Sequence, residues 1–213
     1  MPVTAKICGL STPETIDAAI AGGASHIGFV FFAKSPRNLS IDRASALSHK
    51  LPSPIKIVGV FVDPEKDFLD EVRKHVTLHA IQLHGDERPA FTTQIGRAHG
   101  VEVWKAIPVK TAADLATAQK YRGAVHRILY DAKTPKGADL PGGMGLRFDW
   151  ELLRGFAHPL PWALSGGLHA GNVAEAARIT GATLVDVSSG VERAPGIKDV
   201  DKIAAFLKAT SQL

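Results

Sequence analysis

The sequence predicts an α/β protein that folds as a single (β/α)8 TIM barrel, with a closed parallel sheet inside and helices outside. Eight short β-rich runs alternate with longer amphipathic segments over 213 residues. Several runs are apolar almost throughout, as in residues 27–32, which is typical of parallel strands covered on both faces. The unit repeats about every 27 residues, and one repeating βα architecture of this size favours a barrel that occupies the whole chain, residues 1–213.

The individual elements follow from the local pattern. The candidate strands cover residues 3–8, 26–32, 55–62, 78–83, 101–107, 125–131, 162–165 and 183–187. Between them, residues 11–14 (Ser-Thr-Pro-Glu) predict a helix start with a capping box, Asp63-Pro64 predicts another start, and Asp199 opens the last helix. An open doubly wound sheet is the alternative. It is disfavoured because residues 9–12 do not form a dinucleotide-binding glycine fingerprint after the first strand.

Composition limits the class of protein. The chain has one cysteine, which excludes an intramolecular disulfide and fits a reducing compartment. No signal peptide and no apolar run of transmembrane length is visible, so we expect a cytoplasmic protein without membrane contact. The net charge of +4 indicates either a solvated basic surface or a field that attracts an anionic ligand. Nucleic acid is a weaker partner, because aromatic residues are only 7% and no basic stripe is interleaved with them.

In a barrel the chemistry lies at the carboxyl ends of the strands, where two residues are candidates for catalysis. Cys8 ends the first strand, and it is either a small buried hydrophobe or, if its pKa is lowered, a base or nucleophile. Asp131 ends the sixth strand, where an aspartate either caps a turn or acts as a general acid. A long Gly- and Pro-rich connection, residues 134–147, follows Asp131 and resembles an active-site lid.

Other strand ends suggest substrate contacts. Arg37 follows the second strand and is either simply exposed or able to hold a carboxylate bidentately, through two parallel hydrogen bonds. Glycines follow strands seven and eight, as tight turns or as the phosphate site common at this place in barrels. The residues concerned are Gly166, Gly167, Ser189 and Gly190. His84 ends the fourth strand and could line the pocket. No metal-binding spacing of His, Cys and Glu is found.

Taken in order, these motifs resemble the phosphoribosylanthranilate isomerase family. The match rests on residues 6–9 (Lys-Ile-Cys-Gly), 28–31, 35–37, 58–61, 82–85 (Gln-Leu-His-Gly), 131, 148–150, 164–168, 186–192 and 195–199. Each motif alone is weak, but the ordered set spans nearly the whole chain. One departure is Met144, since the family usually has Thr or Ser between the last two glycines of the long loop.

The resemblance implies an Amadori rearrangement of N-(5-phosphoribosyl)anthranilate to 1-(2-carboxyphenylamino)-1-deoxyribulose 5-phosphate, a step of tryptophan biosynthesis. It implies Cys8 as the base, Asp131 as the acid, Arg37 at the anthranilate carboxylate, and the backbone around Gly166, Gly167, Ser189 and Gly190 at the phosphate. The anilino nitrogen of the substrate is the electron sink, so the resemblance implies neither metal nor cofactor. Cys8 would have to ionise, which calls for a lowered pKa.

Other functions remain as alternatives. Indole-glycerol-phosphate synthase needs catalytic Lys and Glu residues on several strands, whereas Lys6 and Lys105 are the obvious strand lysines and glutamates are missing from the strand ends. A ribulose-phosphate epimerase needs metal ligands, which the sequence does not offer. A non-catalytic sensor of a phosphorylated ligand would bind without turnover. The partner is in each case a small anionic molecule, and the chain is expected to be a monomer or a homodimer.

Overall fold

A computed structural model describes residues 2–49, 51–135, 137–138 and 140–213. Eight parallel strands pair in chain order and close into a barrel, as the sequence predicts. They are β1 Thr4–Cys8, β2 His26–Phe31, β3 Lys56–Phe61, β4 Ala80–Leu83, β5 Glu102–Val109, β6 Arg127–Ala132, β7 Trp162–Leu164 and β8 Leu184–Val187. Each strand begins and ends within two residues of the bounds predicted from the sequence.

Helices cover the outside of the sheet. They are α1 Pro13–Ala21, α2 Ile41–Ser48, α3 Lys66–His75, α4 Pro89–His99, α5 Ala112–Ala116, α6 Val173–Thr180 and α7 Val200–Thr210. Between β6 and β7 the described residues contain only a 3-10 turn, Trp150–Leu153, where a regular barrel has a helix. After β8 come a 3-10 turn, Ser189–Val191, and a hairpin of β9 Glu192–Ala194 and β10 Ile197–Lys198. No described helix has the length and apolar character needed to cross a bilayer.

Two predicted helix starts are wrong in detail. Thr12, rather than Ser11, caps α1 by accepting a hydrogen bond from the Thr15 N–H, so Glu14 is the second helical residue and cannot close a capping box. At Asp63 the backbone turns into the left-handed region, with φ 43°, and α3 begins only at Lys66. The Asp63 carboxylate instead accepts a hydrogen bond of 2.7 Å from the Asp86 N–H, which ties together the loops after β3 and β4.

The start of α7 agrees with the sequence. The Asp199 carboxylate accepts hydrogen bonds of 3.0 Å from the N–H groups of Asp201 and Lys202, and so satisfies two donors of the first helical turn.

The apolar core lies on both sides of the sheet, because alternate residues of each strand face opposite sides. The larger part lies between the sheet and the helices. The smaller part fills the barrel interior with Val58, Ala80, Trp104, Ala106, Leu129, Ala163 and Leu184. Cys8, Val30 and Val60 form a further cluster one layer nearer the carboxyl ends of the strands. The barrel is therefore filled below the level of Cys8, and a ligand must enter from above it.

Candidate active site

A cavity opens at the carboxyl ends of the strands, with a volume of about 800 Å³ including its mouth. Most of the residues singled out in the sequence line it, namely Cys8, Arg37, His84, Asp131, Gly166, Gly167 and Ser189. Gly190 lies just outside the lining, with its α-carbon against the backbone of Leu168. Both residues proposed for catalysis thus reach one cavity of the size that small-molecule sites have.

Cys8 lies in the cavity floor and is 7% exposed. Its strand pairs with β2 so that Cys8 is opposite Gly28, and a β-carbon on Gly28 would stand 2.8 Å from the sulfur. Glycine at position 28 therefore provides the space for the thiol. Two residues earlier, the fully buried Lys6 points to the same interior face, and its Nζ lies 2.8 Å from Asp186 Oδ1.

The environment of Cys8 acts on its pKa in both directions. Burial raises the pKa of the thiol, the positive charges of Lys6 and Lys198 lower it, and the negative charge of Asp186 raises it. The net pKa of Cys8 is above the ordinary value, which is opposite to the lowered pKa that the role of a base calls for. Lys6 itself stays charged. Burial disfavours its ammonium, but attraction to Asp186 and Cys8 outweighs burial and raises the pKa of Lys6 to about 12.

Asp131 enters the cavity from the end of β6 and is largely buried. Its Oδ1 accepts a hydrogen bond of 2.8 Å from the Ala132 N–H, and its Oδ2 lies 3.2 Å from Nε2 of His84. The long loop closes over this pair, because a β-carbon on Gly142 would stand 2.6 Å from Asp131 Oδ2. The carboxyl group is therefore held in one orientation by the backbone, a histidine and the loop.

Arg37 already uses one edge of its guanidinium within the protein. Its Nε and Nη2 donate hydrogen bonds of 2.7 and 2.8 Å to the two carboxylate oxygens of Glu192, and Nη2 also donates to the Gly143 carbonyl. Glu192 in turn accepts from Lys198, which also donates to the Ser188 carbonyl. Nη1 is thus the guanidinium nitrogen of Arg37 with no protein acceptor among the described residues.

The loops after β7 and β8 present backbone donors to the cavity. Gly166 and Gly167 have φ of 90° and 64°, which favour glycine. In the part of the chain that the structure describes, the N–H groups of Gly166, Gly167, Ser189 and Gly190 donate to no protein acceptor. A group of free N–H donors beside a glycine-rich turn is the arrangement that binds phosphate groups in proteins.

Several buried polar contacts beneath the site were not predicted from the sequence. They are the ion pairs Lys6–Asp186 and Lys198–Glu192, together with the neutral amide of Gln82 next to His84. Lys6 is recognisable in the sequence as a strand lysine, and its pairing with Asp186 could have been inferred, since each is a charged residue inside an apolar strand and such residues are rarely buried without a partner. No comparable signal marks Lys198, which lies in the hairpin after β8.

Comparison with known proteins agrees with the fold and the motifs. Residues 5–209 match the family model described as N-(5'phosphoribosyl)anthranilate (PRA) isomerase. The chain is 56% identical to N-(5'-phosphoribosyl)anthranilate isomerase of Zymomonas mobilis subsp. pomaceae and 52% identical to that of Rhodospirillum centenum, with 100% of each chain covered.

Solved structures give the same result. Phosphoribosyl anthranilate isomerase from Thermotoga maritima superposes with a TM-score of 0.89 at 38% identity, covering 99% of this chain and 100% of that one. A phosphoribosyl anthranilate isomerase solved with reduced 1-(o-carboxyphenylamino)-1-deoxyribulose 5-phosphate superposes with a TM-score of 0.86 at 36% identity and the same coverage. The chain therefore belongs to the N-(5'-phosphoribosyl)anthranilate isomerase family.

Proposed function

We propose that this chain converts N-(5-phosphoribosyl)anthranilate to 1-(2-carboxyphenylamino)-1-deoxyribulose 5-phosphate in tryptophan biosynthesis, with Asp131 as general acid and Cys8 as general base. The supporting observation is that both side chains reach one cavity, which also holds a guanidinium and a group of free backbone N–H donors. These are the four features that an aminosugar with a carboxylate at one end and a phosphate at the other requires.

The first half of the reaction belongs to Asp131. Its carboxylic acid proton passes to the ring oxygen of the ribose, the bond between that oxygen and C1′ breaks, and the anilino nitrogen supplies the electron pair that forms an iminium. His84 and the Ala132 N–H hold the carboxyl group while it changes charge. These contacts restrict the carboxyl group to few orientations, and positioning of this kind accelerates proton transfer.

The second half belongs to Cys8. Its thiolate removes the proton from C2′, and the C2′–H electron pair forms an enolamine that tautomerises to the ketone. Burial keeps the resting group as a thiol, because it raises the pKa of Cys8. Lys6 is the group that favours ionisation, since the positive charge of its buried ammonium lowers the pKa of the thiol.

The two anionic ends of the substrate bind two different groups of donors in the cavity. The phosphate accepts hydrogen bonds from the backbone at Gly166, Gly167, Ser189 and Gly190, whose N–H groups are free for it. The anthranilate carboxylate binds Nη1 of Arg37, because Glu192 already occupies the other edge of the guanidinium. The pair with Glu192 holds the guanidinium plane in position, which lowers the entropy cost of binding the carboxylate.

Growth of a tryptophan auxotroph that lacks the isomerase tests the proposal. The wild-type gene should restore growth without tryptophan, and a variant with both Cys8→Ala and Asp131→Asn should not, at equal protein level. Failure of the wild-type protein to rescue, although it is soluble and folded, would contradict the proposed reaction. Assays with the substrate of indole-glycerol-phosphate synthase and, with divalent metal ions added, with that of ribulose-phosphate epimerase should give no turnover, which separates those alternatives.

We also propose that residues 1–213 act as one domain, in the cytoplasm, as a monomer or a homodimer. The strands of a single barrel extend from Thr4 to Val187, and α7 packs against α1, so the two ends of the chain contact each other. A related protein from Thermotoga maritima is described as dimeric. Sedimentation equilibrium should give the mass of one or of two chains, and any larger assembly would contradict this proposal.

A further inference from the structure

Gln82 is a buried amide that the proposed mechanism does not use. It lies on β4 with 1% exposure and forms part of the cavity floor. The parallel register places it beside Val60 of β3 and Trp104 of β5, on the interior face of the barrel. A polar side chain in such an apolar layer is costly unless its groups are hydrogen-bonded.

One end of the amide has a partner and the other does not. Gln82 Nε2, which can only donate, lies 3.1 Å from Nδ1 of His84, and Nε2 of the same ring lies 3.2 Å from Asp131 Oδ2. This chain of contacts fixes the plane of the amide. Within the described residues, Oε1 of Gln82 is buried and has no hydrogen-bond partner. An unpaired buried oxygen in a native protein calls for an explanation, and a bound ligand is one.

We propose that Oε1 of Gln82 accepts a hydrogen bond from a hydroxyl group of the substrate's pentose, which makes Gln82 a substrate-binding residue. The inference rests on the proposed function, since it takes the ligand from that reaction. A carbonyl oxygen can only accept, so the phosphate and carboxylate oxygens of the ligand cannot pair with it. The contacts through His84 place the amide on the Asp131 side of the cavity, where the sugar ring opens and where the pentose offers hydroxyl donors.

Binding of a reduced product analogue to the Gln82→Met variant tests the inference. The probe is reduced 1-(o-carboxyphenylamino)-1-deoxyribulose 5-phosphate, together with three forms that lack the hydroxyl on carbon 2, 3 or 4. In the wild-type protein, loss of the hydroxyl that meets Oε1 should weaken binding about tenfold, the size of one hydrogen bond. In Gln82→Met the same deletion should cost less than about twofold, because the acceptor is gone.

A purely structural role gives a different pattern. If Gln82 only holds His84, the variant weakens all four ligands by the same factor, and every deletion costs as much in the variant as in the wild type. That result would overturn the inference. Gln119→Met, the same change at an exposed position, is the matched control and should bind all four ligands as the wild type does.

The outcome also separates this inference from the proposed function. If the wild-type protein binds none of the four ligands, the proposed substrate is wrong and the inference falls with it. If it binds them and isomerises the substrate, but no hydroxyl depends on Gln82, only the inference is wrong. Circular dichroism and thermal melting of Gln82→Met establish that the compared proteins are folded.

Discussion

Replacing Lys6 by methionine should both destabilise the protein and shift the pH at which it becomes active. Lys6 is fully buried, and its ammonium lies 2.8 Å from a carboxylate of Asp186 whose side chain is 5% exposed. Removing one partner of such a pair leaves an uncompensated buried charge, which costs about 3–5 kcal/mol of unfolding free energy. Methionine keeps most of the apolar length of the side chain, so little of this loss comes from a cavity.

The effect on activity follows from the sign of the charges around Cys8. Lys6 lowers the pKa of the thiol and Asp186 raises it, so Lys6→Met removes the first influence and keeps the second. The pKa of Cys8 then rises further, and each unit of that rise reduces the thiolate fraction tenfold at a pH below the pKa. We expect kcat/KM at pH 7.5 to fall by at least about tenfold, and to approach the wild-type value as the pH is raised.

Urea unfolding and the pH profile of kcat/KM together check the reasoning. Changing Asp186 to leucine in the Lys6→Met background removes both charges and should recover most of the lost stability. Lys105→Met is the matched control, because Lys105 is a buried strand lysine 3.1 Å from Glu87 that does not line the cavity. It should destabilise the protein and leave the pH profile in place. A Lys6→Met variant whose activity loss is the same at every pH would refute the proposed electrostatic role.

Three further predictions concern the loop, a buried histidine and an outer helix. Gly142→Ala places a β-carbon 2.6 Å from Asp131 Oδ2 and should lower kcat at least about tenfold while leaving the melting temperature near that of the wild type; unchanged turnover would contradict the closed loop. Burial is the largest cause that lowers the pKa of His26 from 6.5 to about 4, so the unfolded chain binds more protons between these values. The stabilising effect of this pKa difference is fully present above pH 6.5, and the unfolding free energy falls by about 3 kcal/mol as the pH is lowered to about 4. His26→Gln should remove that part of the pH dependence in urea titrations, whereas exposed His169→Gln should not. Gly96→Ala within α4 meets only ordinary contact, at 3.5 Å, and should stabilise the protein by about 0.5–1 kcal/mol without changing turnover; destabilisation would contradict it.

Most of the fold could be predicted from the sequence because parallel strands buried on both faces are continuous apolar runs. The exceptions are places where tertiary contacts override local signals. The Asp63-Pro64 pair looks like a helix start, but the carboxylate is used by the next loop instead. The connection before β7 contains a 3-10 turn, Trp150–Leu153. Nothing in its sequence distinguishes such a turn from a short α-helix.

The position of the candidate site was also predictable in part. Strand ends meet at one edge of a barrel, so Cys8 and Asp131 could be brought together from the order of the strands alone. The pairing of Arg37 with Glu192 could not be, since the two residues are 155 positions apart and no spacing rule connects them. The direction of the Cys8 pKa shift was also beyond sequence reasoning, because it depends on the balance of burial against charges from three different parts of the chain.

The turnover of Cys8→Ala and of Asp131→Asn with N-(5-phosphoribosyl)anthranilate tests the central claim most directly. Each change removes one proton-transferring group, and each should lower kcat at least about 10²-fold, the low end for a general acid or base. Both variants should remain folded, as measured by their unfolding free energy. Near-normal turnover in either one would show that the residue is not the acid or base of this reaction.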